Sequence, residues 1–422
     1  MFIGIDDTDS REGMCTTYLA SRIYHRFRKT ASDFPWLVRL NPNIAYKTRG
    51  NGAVVVEMLT PPSMDAKTME RLPDGEYYAA YGEIIDYTID LVSNLSMVSE
   101  ETNPGIVFSR RKIPETLYRA ALYREISMDE VRSLLDRYGA RFYAMGNGRG
   151  LIGASAAISW PGKRHTYEVM NYFYPHGRHR TLADKIKIAG EADLHECTFD
   201  SVDRANRRPA IFPRERTPVV YGIRGTDPVA LKNIAEDLNR RHSIESEMIT
   251  VFKTNQGTDD HIVADPEAVE ELGSYALKCM VSESPHPATG GHYFFHAICN
   301  GRIIKFAAFE PTKEFRSVVR KLVPGDEIVG YGSYIDSTIN LERLTMEASA
   351  SVYTRRAPAC KLCGKPMSNR GAHDFRCISC GTADNLPSFS GVERSIEEGD
   401  YEVPVAARRH LSMPLVLSRN GE

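Results

Sequence analysis

Three carboxylates, Asp6, Asp7 and Asp9, are crowded at the end of a short apolar run made by Phe2, Ile3 and Ile5. An apolar run of this length reads as a buried strand, so the acids should sit together where it stops. Like charges this close raise one another's pKa. Hard oxygen ligands beside substrate phosphates are how proteins usually hold magnesium, which makes that ion the expected counter-charge. Gly13 then lets backbone approach a ligand closely. Thr16, Thr17, Tyr18, Leu19, Ala20, Ile23 and Tyr24 continue as a helix whose first amides would face a bound anion. Phosphate chemistry is the reading that uses all of these features. Asp-x-Asp after an apolar strand also serves phosphatases with an aspartyl nucleophile, and an Asp- and Ser-rich turn needs no ligand at all. The Thr16 and Thr17 hydroxyls are open to capping the helix, to touching phosphate or to receiving it.

A second constellation is Cys360-x2-Cys363-x13-Cys377-x2-Cys380. Four thiolates at this spacing predict a closed tetrahedral zinc site on two knuckles, a structural zinc ribbon. The other cysteines, Cys15, Cys197, Cys279 and Cys299, are scattered, and in a long chain without a signal peptide that argues against a disulfide framework.

The elements that must position these groups are spread over 422 residues, more than one ordinary core. The balance of 53 Lys and Arg against 55 Asp and Glu leaves a formal charge of −2, so a nucleic-acid partner has to be met by local patches. No apolar run reaches the length of a membrane span and Asp6 interrupts the N-terminus too early for a signal peptide; the expectation is a cytoplasmic protein with no membrane and no protein partner.

After the first helix, residues 39–51 form a loop punctuated by Pro42 and Gly50, leading into a strand at 53–57. Lys47 and Arg49 stand at its mouth, where they would neutralise triphosphate or RNA backbone unless they are ordinary solvated charges. Residues 83–99 have helical apolar spacing, and 114–138 read as two helices broken near Ser127. Gly148-Arg-Gly-Leu-Ile-Gly153 nominally matches a dinucleotide fingerprint, with Glu168 at the spacing of its acid. The aromatic strand 166–174 lacks the apolar character of a parallel sheet interior, so a glycine-rich turn that packs closely, or admits RNA, is the better reading.

Basic residues thicken from Lys163 and Arg164 through Arg178, Arg180, Lys185, Lys187, Arg204, Arg207, Arg208, Arg214 and Arg216, interleaved with Tyr172, Phe173 and Tyr174. They resemble a phosphate-contacting surface with stacking side chains, with a solvated basic face as the alternative. Residues 218–225, 228–240 and 247–252 form a β-α-β unit ending in the polar turn Lys253-Thr-Asn-Gln-Gly-Thr-Asp-Asp-His261. From 270 to 350 short strands, a hairpin turn at Asn300-Gly301 and one helical interlude suit an OB-like barrel, whose Lys305, Lys313, Arg316 and Arg320 favour nucleic acid. The tail from Tyr401 to Leu415, with Arg408, Arg409 and His410, reads as a further RNA-touching strip.

The ordered set Gly-Ile-Asp-Asp-Thr-Asp-Ser at 4–10, Gly-Met-Cys-Thr-Thr at 13–17, Asn-Pro-Asn-Ile through Lys-Thr-Arg-Gly-Asn-Gly at 41–52, Gly-Arg-Gly-Leu-Ile-Gly at 148–153, Phe-Lys-Thr-Asn-Gln-Gly-Thr-Asp-Asp-His at 252–261 and the two CxxC pairs resembles one family. It is the isoleucine-tRNA agmatinylcytidine synthetases (TiaS). The resemblance spans essentially the whole chain. It implies a multidomain α/β and α+β protein: a kinase-like α/β domain over 1–145, a ferredoxin-like domain over 146–265, an OB-fold β-barrel over 266–352, and a zinc ribbon with a basic tail over 353–422. The implied reaction uses ATP to replace the 2-oxo oxygen of the wobble cytidine in a CAU-anticodon isoleucine tRNA with agmatine, so that AUA is read and not AUG. A ring carbonyl oxygen is a poor leaving group, and phosphorylating it makes displacement by an amine feasible.

On this resemblance Asp6, Asp7 and Asp9 hold magnesium and orient the triphosphate; Gly13, Met14, Cys15, Thr16 and Thr17 cradle it; and Lys47 and Arg49 counter transition-state charge. Thr16 is the threonine to which the family's self-phosphorylation maps, with Thr17 not distinguished from it. The tRNA contacts are placed on Arg207, Arg208, Lys253, Lys313, Arg316, Arg408 and Arg409, and the cytidine must be extruded to reach the catalytic groups. An RNA-binding phosphotransferase of another kind, and a non-catalytic tRNA chaperone, are the competing classes.

Overall fold

The computed structural model describes the chain except for residues 48–49, 62–63, 174–181, 183, 214–215, 372 and 419–422. A nine-stranded sheet runs through the N-terminal half in the order Arg141–Ala144, Gly105–Ser109, Phe2–Asp6, Gly52–Glu57, Trp36–Arg39, Met248–Thr254, Thr166–Tyr172, Val219–Gly225, Thr198–Phe199. Among the described residues its neighbours are antiparallel except at one joint, where Lys253 and Thr254 pair in parallel with Trp36 and Leu37.

The strand bearing the acids is central in its half of the sheet, and its side chains alternate as a pleated strand requires. Ile3 and Ile5 pack with Val54, Val56, Ile106 and Phe108 under the helices Thr16–Arg26 and Gly82–Leu95. On the other face Ala53, Val55 and Val107 meet the helices Glu115–Tyr123, Met128–Arg137 and Gly150–Ile158. The break expected near Ser127 is a helix cap: its hydroxyl accepts from the Glu130 amide at 3.2 Å.

The glycine motif is a packing device, as its surroundings in sequence suggested. A Cβ on Gly150 would lie 2.4 Å from the Gly105 nitrogen and 2.6 Å from the Asp6 carbonyl oxygen, and one on Gly4 2.5 Å from the Ala154 carbonyl oxygen. Only glycines let the helix Gly150–Ile158 lie directly on the strand Phe2–Asp6.

The two strands of the β-α-β unit, Val219–Gly225 and Met248–Thr254, are not neighbours. Thr166–Tyr172 lies between them, antiparallel to both. That placement buries Tyr172, which packs edge-on to Tyr18 with ring centroids 5.6 Å apart. Tyr172 is therefore a core residue, and the stacking role expected for it is corrected by its burial.

In the C-terminal half, the strands Ser274–Val281, His292–Cys299, Arg302–Ala308, Thr338–Ala348 and Glu327–Ile335 close into a five-stranded barrel. The pairing of the first with the second seals it. That same pairing puts Cys279 opposite Cys299, and the two form a disulfide across a Cα–Cα distance of 4.3 Å. The scattered spacing held no hint of this bond, because only the register makes the two thiols neighbours. Residues 352–392 form a small outlying ribbon of short strands. No helix among the described residues is long and apolar enough to cross a membrane.

Candidate active site and metal centre

The chain leaves the strand Phe2–Asp6 through a left-handed residue, Asp7 at φ 57°, and re-enters regular structure through Met14 at φ 63°. The intervening turn is closed by a bridge between Ser10 and Gly13 and brings the three acids against the start of the helix Thr16–Arg26. Asp6 takes the most costly position: burial, then the neighbouring Asp7 and Asp9 charges, push its pKa up to about 8. Burial also raises Asp7, opposed by a hydrogen bond from the Asn103 amide at 3.0 Å and by the Arg149 guanidinium at 3.6 Å.

Cys15 occupies the helix N-cap, and its side chain makes no capping hydrogen bond to the first turn. The Thr16 hydroxyl instead donates toward the Asp9 carboxylate at 3.4 Å and accepts from Thr8 at 3.0 Å, while Thr17 lies 3.0 Å from the Cys15 sulfur. The Thr16 hydroxyl thus faces Asp9, and the Thr17 hydroxyl turns to the Cys15 sulfur.

These groups form one end of a cavity of about 1130 Å³. Its walls bring together Asp6, Asp7, Asp9, Cys15, Thr16, Thr17, Lys47, Arg208 and Arg408 of the residues singled out from sequence. Gly13 and Met14 build the adjoining turn. Arg49, Tyr174, Arg178, Arg180 and Arg214 lie outside the described residues.

The cavity floor carries residues for which sequence reading found no role there. Arg39, at the end of the strand Trp36–Arg39, faces Glu168 at 4.0 Å; Glu168 also faces Arg224 at 3.9 Å and accepts from Gln256. His410, from the far end of the chain, accepts from Arg224 at 2.8 Å through Nδ1. Burial, then Arg39 and Arg224, hold the His410 pKa well below its ordinary value, so its ring is neutral. A lone Glu within an aromatic strand and a lone Arg ending an apolar one were the available signals for Glu168 and Arg39. His410 offered none, because nothing local predicts that the tail returns to the cavity.

The remaining basic residues are dispersed. Arg207 is exposed, Lys253 stands 5.9 Å from the Trp160 ring, and Lys313 and Arg316 pair with Glu310 on the barrel. The tail is not an outer strip. Arg408 is ion-paired to Asp200 and to Glu402 with its side chain only 6% exposed, and Arg409 donates to Asn43 at 2.5 Å and to Ser333. Both cross-link the two halves of the molecule, which corrects the expectation that they reach out to RNA.

The four ribbon cysteines converge. Their sulfurs all lie within 4.8 Å of one another, with Cys360–Cys380 and Cys363–Cys377 at 3.4 Å and Cys363–Cys380 at 3.7 Å. A tetrahedron of thiolates about 2.3 Å from zinc has edges of about 3.8 Å, so the set fits that ion. The two knuckles repeat each other: the Gly364 and Gly381 amides donate to the Cys360 and Cys377 carbonyls at 2.8 and 2.9 Å.

Known proteins share this layout. Family models for the TiaS TCKD domain and the TiaS FLD domain match residues 2–147 and 148–261. An isoleucine-tRNA 2-agmatinylcytidine synthetase TiaS from Thermoplasma volcanium is 42% identical, over 98% of this chain and 96% of its own. The chain belongs to the TiaS family. A TiaS solved in complex with its isoleucine tRNA and ATP superposes with a TM-score of 0.84 at 36% identity, covering 98% of this chain and 96% of the other. A second TiaS, solved with the same isoleucine tRNA, AMPCPP and agmatine, gives 0.81 at 33% identity over 98% and 96%.

Proposed function

We infer that this chain is an isoleucine-tRNA 2-agmatinylcytidine synthetase, an enzyme that uses ATP to attach agmatine to a cytidine of an isoleucine tRNA. The observation that carries the reading is the cavity itself: full-length relatives bind ATP, agmatine and this tRNA, and here the acid cluster, the start of the helix Thr16–Arg26 and the basic side chains of Arg39 and Arg224 share one space large enough for several substrates.

The proposed course begins with ATP seated against residues 13–17, its triphosphate facing the first amides of the helix Thr16–Arg26. Asp6, Asp7 and Asp9 would hold magnesium, which when bound supplies positive charge beside the phosphates; an unbalanced buried carboxylate with a pKa near 8 suits such a site. The 2-oxo oxygen of the extruded cytidine takes a phosphoryl group from ATP as the shortened nucleotide departs; the amine of agmatine then attacks carbon 2 and gives up a proton, and the phosphorylated oxygen leaves as inorganic phosphate. Lys47 and Arg208 are placed to meet phosphate charge, and Thr16 is the hydroxyl best placed beside Asp9 to receive phosphate itself. The modified wobble base would then read AUA and not AUG, in the cytoplasm.

The domain scheme proposed with this function is a kinase-like domain over 1–145, a ferredoxin-like domain over 146–265, an OB-fold over 266–352 and a zinc ribbon with tail over 353–422. The sheet order Met248–Thr254, Thr166–Tyr172, Val219–Gly225, Thr198–Phe199 supports the second, and the closed five-stranded barrel with the helix Glu314–Val319 between its third and fourth strands supports the third. The helix Gly150–Ile158 packs with the first domain although it falls within the second.

The test is nucleoside mass analysis of a CAU-anticodon isoleucine tRNA transcript incubated with the protein, magnesium-ATP and agmatine. A cytidine gaining the agmatine mass, absent from elongator methionine tRNA, is the expected result. No modified nucleoside from folded, tRNA-binding protein would overturn the reading.

A further inference from the structure

A segment that follows the barrel and the ribbon in sequence, residues 405–410, lines the cavity, and the chain reaches it from the barrel. Gly399–Glu402 pairs with the barrel strand Thr338–Ala348. The chain then turns at Val405–Ala407 and docks its backbone on the polar turn of the N-terminal half: the Gly257 and Asp259 amides donate to the His410 and Leu411 carbonyls, both at 2.9 Å. The Met413 amide adds a bond to the Asp259 carboxylate at 2.6 Å. Val405, Ala406, Arg408 and His410 thereby become cavity wall.

His410 has one partner of chemical interest there. Its Nδ1 accepts from an Arg224 Nη2 at 2.8 Å, while the remaining Arg224 nitrogens face Asp200 at 3.8 Å and Glu168 at 3.9 Å. Both carboxylates are beyond hydrogen-bond distance, so among the described residues the close side-chain bond on this guanidinium comes from a neutral imidazole. A neutral acceptor orients a cation without cancelling its charge. A carboxylate in its place would neutralise it. Arg224 keeps its side chain 20% exposed and lines the cavity.

We propose that His410 is a positioning residue of the catalytic cavity, fixing the orientation of the Arg224 guanidinium between Glu168 and Asp200 so that it can meet a phosphate-bearing substrate. Residues 403–413 are then part of the catalytic unit, although they follow the barrel and the ribbon in sequence. Loss of the bond frees Arg224 to turn onto Glu168 or Asp200 and out of its place in the cavity wall.

The inference rests on the agmatine-attaching reading above, and the test separates the two. Asn places its amide oxygen where His has Nδ1, whereas Gln places it where His has Nε2; neither adds charge. Misplacing a group by about 1 Å can cost about 100-fold in rate, so His410→Gln should lower kcat for agmatine attachment by about 30-fold, whereas His410→Asn should stay within about 3-fold of the natural protein. Melting temperatures and tRNA affinity should be alike for both. A variant pair with equal kcat would overturn the proposal. So would a cycle in which His410→Gln lowers kcat as much in an Arg224→Gln background as in the natural one, since coupled residues must be non-additive. If the natural protein itself attaches no agmatine, the functional reading fails and not this one.

Discussion

Asp6 is the residue whose environment is least comfortable. Its pKa is raised from 3.8 to about 8 by burial and by Asp7 and Asp9, so at neutral pH the metal-free protein holds a proton that the unfolded chain would release. Stability of the metal-free protein should therefore fall as pH rises from about 4 to about 8, and Asp6→Asn should flatten that slope. Thermal melts across this range in chelator are the check, and a natural protein already flat there would count against an unbalanced acid. Magnesium held by the acids, as proposed, would displace the same proton, so its affinity should climb over the same interval, with proton release visible as a buffer-dependent heat in calorimetry. Asp7 invites a separate test: Asn tolerates its φ of 57°, so Asp7→Asn should remove charge without backbone strain. Turnover should drop by about 100-fold or more while tRNA affinity holds within a few fold; a large loss of tRNA binding would make the acids a docking element instead. The acids were legible in the sequence because they are almost adjacent. Arg39, Glu168, Arg224 and His410 were not, since each is a single polar residue in its own element and only the sheet order and the returning tail bring them together.

Between residue and domain, the helix Gly150–Ile158 decides how tightly the acids are held. A Cβ on Gly153 would stand 1.8 Å from the Asp6 carboxylate oxygen, so Gly153→Ala should displace Asp6, lower turnover and cost about 1–3 kcal/mol from overpacking. Gly190 is the internal control: it lies within the helix Lys185–Ala192 with nothing within 4 Å of an added Cβ. Gly190→Ala should stabilise by about 0.5–1 kcal/mol. Denaturant titration of both variants reads the contrast, and two variants of the same sign would refute the close-packing account. Element types were readable here from periodicity and glycine spacing. What periodicity could not supply was the partner across the sheet: Tyr172 alternates like a surface-facing aromatic but is covered by Tyr18 from the first helix, and Cys279 and Cys299 meet only through barrel register.

At the scale of the whole molecule, the halves are riveted by polar groups that are almost entirely buried. His261 bonds Glu342 at 2.9 Å, and Glu342 also accepts from Ser412 at 2.7 Å. Burial alone would raise the Glu342 pKa, but His261, Arg409 and Ser412 outweigh it and hold it down to about 2. That contribution is complete above about 4.5 and is lost as pH falls towards about 2, so Glu342→Gln should blunt acid unfolding of the junction between halves. The ribbon has no comparable anchorage of its own. Its buried apolar cluster consists of Met367 and Phe375 with Cys360 and Cys377, too little to fold without a staple, which zinc on the four thiolates would supply. At its far end the Arg394 guanidinium is clamped to fully buried Asp326 on the barrel, which should stop unfolding from spreading. Verified removal of zinc should therefore open residues 357–384 to protease while the barrel and the N-terminal half stay protected. Agmatine attachment should slow through a raised KM for tRNA with kcat little changed, because none of the ribbon's described residues lines the cavity. An unchanged protease pattern would mean that the ribbon folds without metal, and a fall in kcat at saturating tRNA would mean that it bears on the chemistry and not only on holding the substrate.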